Sequence, residues 1–205
     1  MTTRAAALED FLSGIHDALA ASDLGPDGTA AVGRIYAVLT TQGNPGPGRA
    51  QRLPVCDPSL RDACATARRH SPIMTRIVDA FETLEPALFW APRGASGPHA
   101  SANWPTGHAN ATIIGPGGSE SRDDVHIGAS LLAPEVRYPD HSHAPEEVYL
   151  VLSPGRFQHG ASGWFEPGIG GALYNSPHIR HAMASDAAPL LAIWLLWTGL
   201  PVSAN

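Results

Sequence analysis

The sequence is poor in cysteine, in charge and in long apolar runs. Only Cys56 and Cys64 are present, eight residues apart and away from any other cluster of ligand-type side chains. They make neither a zinc knuckle nor a disulfide framework and are expected to be ordinary thiols. Just 16% of the residues are charged, and 13 scattered basic residues stand against 19 acidic ones, for a net charge of -6. That balance leaves no electrostatic footprint for nucleic acid and no attraction to an anionic membrane. The most apolar run, Leu190 to Leu200, is far short of the roughly 20 residues that span a bilayer. The opening segment MTTRAAALEDFLSGIHDALAASD has early acidic residues and no uninterrupted apolar stretch, so it is not a signal peptide by pattern. A cytoplasmic protein is expected.

What is abundant is apolar material for a core, 43% of residues, together with turn formers, 21 Gly and 19 Pro. The chain divides into two regions of different character, 1–92 and 93–205. In the first, Leu8, Phe11, Leu12, Ile15 and Leu19 recur at three- and four-residue steps, one stripe of a helix from Ala5 to Ala21. Similar patterns predict helices over Thr29–Leu39, from Ser59 towards His70, and over Pro72–Leu84, with GNPGPG and Ser71-Pro72 as breakers. After the Gly/Ser/Pro-rich stretch RGASGPHASANWPTG the helical period does not return. Short β-type runs follow: HANATIIG, DVHIGASLLA, EEVYLVLS, GRFQHG, GGALYN, HIRHAM and LLAIWLLWTG. Many short strands without intervening helices predict a sandwich or barrel, here with a helical N-terminal cap. LLAIWLLW is apolar on both faces, so it reads as a buried strand or as a contact between copies of the chain, which leaves a homodimer open.

The chemistry is concentrated in YPDHSHAPEEVYLVLSPG, Tyr138 to Gly155. His141 and His143 stand at i and i+2, which an extended backbone points to one face, so both imidazoles can reach one ion. Glu147 and Tyr149 repeat that spacing on the next strand, and Ala144-Pro145-Glu146 suits the bend between the pairs. Glu146 has the opposite parity, which favours Glu147 as the carboxylate ligand. A further ligand is expected from SPHIRHAM, which offers His178 and His181. Three residues apart, they face opposite sides of a strand, and spacing alone does not choose between them. Imidazole and carboxylate ligands suit one divalent transition ion, Zn, Fe, Mn, Co or Ni.

HSHAPEEVYLVLSPG resembles the first cupin motif, with His141, His143 and Glu147 in the ligand positions. The leading glycine of that motif is absent and Gly155 comes one residue late. EPGIGGALYNSPHIRHAM resembles the second motif loosely. More specifically, YPDHSHAPEEVY together with PHIRHAM is similar to the bacterial dimethylsulfoniopropionate (DMSP) lyases of the cupin type, the DddQ branch. The resemblance implies a mainly β fold, a cupin (double-stranded β-helix, jelly-roll) barrel preceded by a helical region. It also implies His181 as the last metal ligand and Tyr138 and Tyr149 as the family's tyrosines. The implied reaction is β-elimination of DMSP, a small-molecule substrate, to acrylate and dimethyl sulfide. Tyr149 is then the first candidate for the base and Tyr138 the second, either as base or as a partner of the substrate carboxylate. Trp164, Phe165, Tyr174, Trp194 and Trp197 are candidates to line the sulfonium end of the pocket. His108 and His126 are candidates for polar contacts. The same ligand shell also serves Fe(II) dioxygenases, other lyase-like cupins and cupins that only bind a small ligand.

Overall fold

The computed structural model describes residues 4–94 and 97–199, so the ends of the first and last segments discussed above, Met1–Thr3 and Leu200, lie outside the described residues. Helix α1 (Ala6–Ala20) buries Leu8, Phe11, Leu12, Ile15 and Leu19, the stripe that the period predicts. Helices α2 (Gly25–Leu39) and α3 (Cys56–Arg68) begin three or four residues before their apolar periods. In α2 the extra turn starts on Pro26, whose fixed φ suits a first helical turn. Helix α4 (Pro72–Leu84) has the expected bounds, because the Ser71 hydroxyl accepts from the Met74 N–H and Pro72 follows at once.

The strands come next in the chain, preceded only by the two-residue pieces β1 (Asn44–Pro45) and β2 (Trp90–Ala91) and the single-turn α5 (Trp104–Gly107). They are β3 (His108–Ile114), β4 (Glu120–Ser121), β5 (Val125–Leu132), β6 (Glu146–Val151), β7 (Arg156–His159), β8 (Ala172–Asn175), β9 (His181–Ala184) and β10 (Leu190–Trp197). The large sheet runs β1-β4-β3-β5-β10-β6-β8, with β2 added beside β3. The small sheet pairs β7 with β9 and is widened by single bridges, Arg137 and His141 to β9 and Phe165 to β7. Mainly β, with one sheet facing another and a helical layer before them, this is the arrangement expected of a cupin.

The large sheet is covered on both faces, which explains why its central strand is apolar throughout. Alternate residues of β10 divide between two cores. Leu191, Ile193 and Leu195 join the cluster formed with the helices, whereas Leu190, Ala192, Trp194 and Leu196 join one containing Phe157 and Met183 of the small sheet. LLAIWLLW is therefore a buried strand. The same alternation on β6 sends Val148 and Leu150 to the helices and Glu147, Tyr149 and Val151 to the interior between the sheets, apolar Tyr149 and Val151 joining its core.

Glu146 falls on the helical face. There its carboxylate takes the Arg34 guanidinium of α2 at 2.6 Å and the Tyr174 hydroxyl of β8 at 2.8 Å. This buried carboxylate clamps the helical layer to the sheet. Glu146→Ala removes the acceptor that the Tyr174 hydroxyl and Arg34 share. Urea unfolding is expected to show a loss of about 1–3 kcal/mol. Arg34→Ala should lose less, since its side chain is 43% exposed. Equal losses would contradict the clamp. Among the described residues, no helix is long and apolar enough to cross a membrane.

Candidate metal centre and active-site cavity

Three imidazoles meet where the segment after β5 returns along β9. His141 and His181 are bridge partners that exchange backbone hydrogen bonds, His141 N–H to His181 O at 3.1 Å and His181 N–H to His141 O at 2.9 Å. Their rings consequently lie 4.1 Å apart, and the His143 ring lies 5.0 Å from that of His181. One ring nitrogen from each of the three falls within 4.8 Å of the others. The other nitrogen is committed: Nδ1 of His141, His143 and His181 lies 2.9–3.0 Å from the carbonyl oxygens of Pro139, Pro145 and Ile179. A carbonyl only accepts, so each Nδ1 carries the proton and each Nε2 keeps its lone pair.

Glu147 closes the group from β6. Its Oε2 lies 3.2 Å from His181 Nε2 and 3.5 Å from His143 Nε2. His181 Nε2 is buried and has no hydrogen bond of acceptable geometry, even with the carboxylate so near. Lone pairs and a carboxylate facing one another at this distance require positive charge between them, a proton or a metal ion. Burial opposes ionisation of Glu147, but the neighbouring imidazoles of His143 and His181 prevail and hold its carboxyl down at about 2. Burial also lowers His143, yet Glu147 more than offsets it and the imidazole is raised. His141, desolvated and beside His181, is lowered to about 4 and stays neutral at pH 7. This donor set fits a divalent transition ion.

The carboxylate is itself held. Asn175, the cross-strand partner of Glu147 on β8, donates its Nδ2 to Glu147 Oε2 at 3.1 Å. Its Oδ1 lies 2.9 Å from His159 Nδ1, so the amide orientation is fixed from both sides. His178, the alternative to His181, is exposed and sits in a turn at φ 61°, where it gives only its backbone N–H to His143 O. HIRHAM is thus no continuous strand: β9 starts at His181, and the parity argument does not apply before it.

His141, His143 and Glu147 border a cavity of about 300 Å³ that reaches Tyr138, Tyr149, Trp104 and Trp194. Both tyrosines are buried. Burial, then the Glu147 charge, pushes the Tyr149 phenol well above its ordinary value. Burial pushes Tyr138 up to about 12, against the opposing charge of Arg93. Tyr138 stands 4.3 Å edge-on to Trp104 and 4.8 Å from the His141 ring.

A family model for DMSP lyase matches residues 28–192. The chain belongs to the DMSP lyase family. It is therefore a lyase whose family substrate is DMSP. Two solved DMSP lyase structures share its fold over almost the full length. A chain from the crystal structures of the DMSP lyases RdDddP and RnDddQII gives a TM-score of 0.70 at 21% identity, covering 98% of this chain and 96% of that one. DMSP lyase DddQ from Ruegeria pomeroyi DSS-3 gives 0.68 at 20% identity, covering 97% and 94%. No curated protein sequence matches this chain.

Within this DMSP lyase, the aromatic candidates divide sharply. Only Trp194 of the five borders the cavity. Tyr174 and Trp197 pack towards the helices, Trp164 lies between the guanidinium groups of Arg137 and Arg156, and Phe165 bridges Phe157 outside the cavity. Neither His108 nor His126 borders it. His108 instead braces its wall, stacking 3.3 Å from Trp104 and accepting the Arg93 N–H at 2.9 Å. Trp104 and Arg93 were not legible as site residues, because both lie in a Gly/Ser/Pro-rich loop without periodic signal. Asn110 and Ser130, also bordering the cavity, alternate inward on β3 and β5 but carry no motif.

Proposed function

We propose that this chain cleaves DMSP to acrylate, dimethyl sulfide and a proton by base-promoted β-elimination at a divalent transition ion held by His141, His143, Glu147 and His181. One observation carries the reading. Three imidazoles with committed Nδ1–H groups gather their second ring nitrogens around a buried carboxylate, and His141, His143 and that carboxylate border a cavity that two buried tyrosines share, with His181 Nε2 facing the carboxylate at 3.2 Å. When bound, the ion supplies Lewis-acid stabilisation of the charge that builds on the substrate carboxylate.

Tyr149 takes the proton α to the carboxylate. The C–H electron pair becomes the C=C bond of acrylate, and the C–S pair leaves with sulfur. Burial and the Glu147 charge hold the Tyr149 phenol protonated. Its phenolate accordingly forms only when positive charge at the histidines offsets Glu147. Tyr138 holds the substrate carboxylate through its hydroxyl. Asn175 keeps Glu147 turned towards the histidines.

Product analysis tests the reaction. Equal amounts of dimethyl sulfide and acrylate are expected from DMSP. Release of dimethyl sulfide with a hydroxylated acid in place of acrylate would overturn elimination. The holding role of Asn175 has its own measurement: Asn175→Ala is expected to weaken Zn binding by roughly 10–100-fold, read by competition with a chelating dye. Unchanged affinity would remove Asn175 from the site.

A further inference from the structure

We propose that Arg93 is the residue that selects substrates with a free carboxylate, pairing with the carboxylate oxygen that the histidine–glutamate group leaves free. The inference deepens the DMSP-cleaving reading and rests on it. Among the residues bordering the cavity, Glu147 is the single acid and Arg93 the single permanent cation. Most arginines of the chain pair with an acid, as Arg34 does with Glu146 and Arg156 with Asp186. Arg93 has no carboxylate in ion-pair reach among the described residues.

Its position is nevertheless built. The Arg93 N–H donates to His108 Nε2, and the protonated His108 Nδ1 donates to the Trp104 carbonyl while the two rings stack. The backbone at Arg93 is thereby held against the start of β3. The guanidinium lies over the Trp194 ring, 5.7 Å from its centroid. That aromatic face is occupied by a cation of the chain itself, so it does not take the sulfonium.

The wall beside Arg93 offers donors. Asn110, opposite Ala91 in register, accepts the Ser130 hydroxyl proton at its Oδ1. This fixes the amide, and the buried Asn110 Nδ2, which lies against Tyr138, makes no hydrogen bond of acceptable geometry. A guanidinium fork beside an unmatched amide donor suits a planar carboxylate. The same positive charge repels a sulfonium, so it sets which end of the zwitterion lies on this side and rejects sulfonium compounds that lack the acid.

Two half-substrates separate the roles: propionate has the carboxylate alone, and trimethylsulfonium has the sulfonium alone. Their affinities are measured by calorimetry on the Zn-loaded full chain, for the parent, Arg93→Gln and Arg93→Lys. Arg93→Gln is expected to weaken propionate by roughly 10–100-fold, to raise the KM for DMSP in proportion and to leave kcat within a few-fold. Trimethylsulfonium should bind it as well as, or better than, the parent. Arg93→Lys should recover most of the propionate affinity. Unchanged propionate affinity in Arg93→Gln would overturn the inference, as would an equal loss for trimethylsulfonium, which signals a purely structural effect. Failure of the parent to bind propionate would also overturn it. A parent that binds propionate but does not cleave DMSP would instead sink the DMSP reading.

Discussion

Tyr149→Phe is expected to lower kcat for DMSP by about 10²–10⁴-fold, the span typical of a lost general base. The ring keeps its place, because it packs against Phe157 and lies beside Trp194 on the neighbouring strand, and neither contact needs the hydroxyl. Removing a polar group from a buried position should not destabilise the fold by more than a fraction of what it costs the reaction. The variant is therefore expected to retain bound Zn and a parent-like unfolding midpoint while failing to release dimethyl sulfide. Loss of metal together with activity would make Tyr149 a ligand. Undiminished turnover would transfer the proton to Tyr138, whose Phe variant is the natural comparison.

His181→Gln is expected to abolish both metal retention and DMSP cleavage, with a loss of affinity larger than the roughly 10–100-fold that outer partners cost. His181 contributes the buried Nε2 that lacks a hydrogen bond, and it faces Glu147 at 3.2 Å. Gln preserves bulk and polarity at this buried site, so the fold is expected to persist. His178→Asn is the control. Asn tolerates the left-handed φ of 61° at this exposed turn, and metal binding is expected to stay at the parent level. If His178→Asn lost the metal and His181→Gln kept it, the ligand set would be wrong.

Parity made much of the site legible. On β6 a two-residue period separates Glu147 and Tyr149 from Glu146, and each goes where the period sends it: two towards the cavity, one into the Arg34 clamp. The four main helices were legible from their own apolar stripes, although α2 and α3 begin before those stripes, α2 on a turn that Pro26 supports. The choice between His178 and His181 was not legible by parity, because a left-handed turn interrupts the segment and resets its phase. Trp104 and Arg93 were missed for a related reason. Their Gly/Ser/Pro-rich stretch has no period, and what places these two is bracing by His108, which no periodic pattern encodes. Among the aromatics, composition named candidates and packing withdrew most of them: Trp164 serves two arginines and Tyr174 serves Glu146.

The most direct test of the central claim is anaerobic turnover of DMSP by the full chain before and after chelation, with dimethyl sulfide measured in the headspace. Release is expected without oxygen, with loss on chelation and recovery on adding back Zn, Fe, Mn, Co or Ni. Release that persists after complete removal of metal, or that requires oxygen, would contradict the claim.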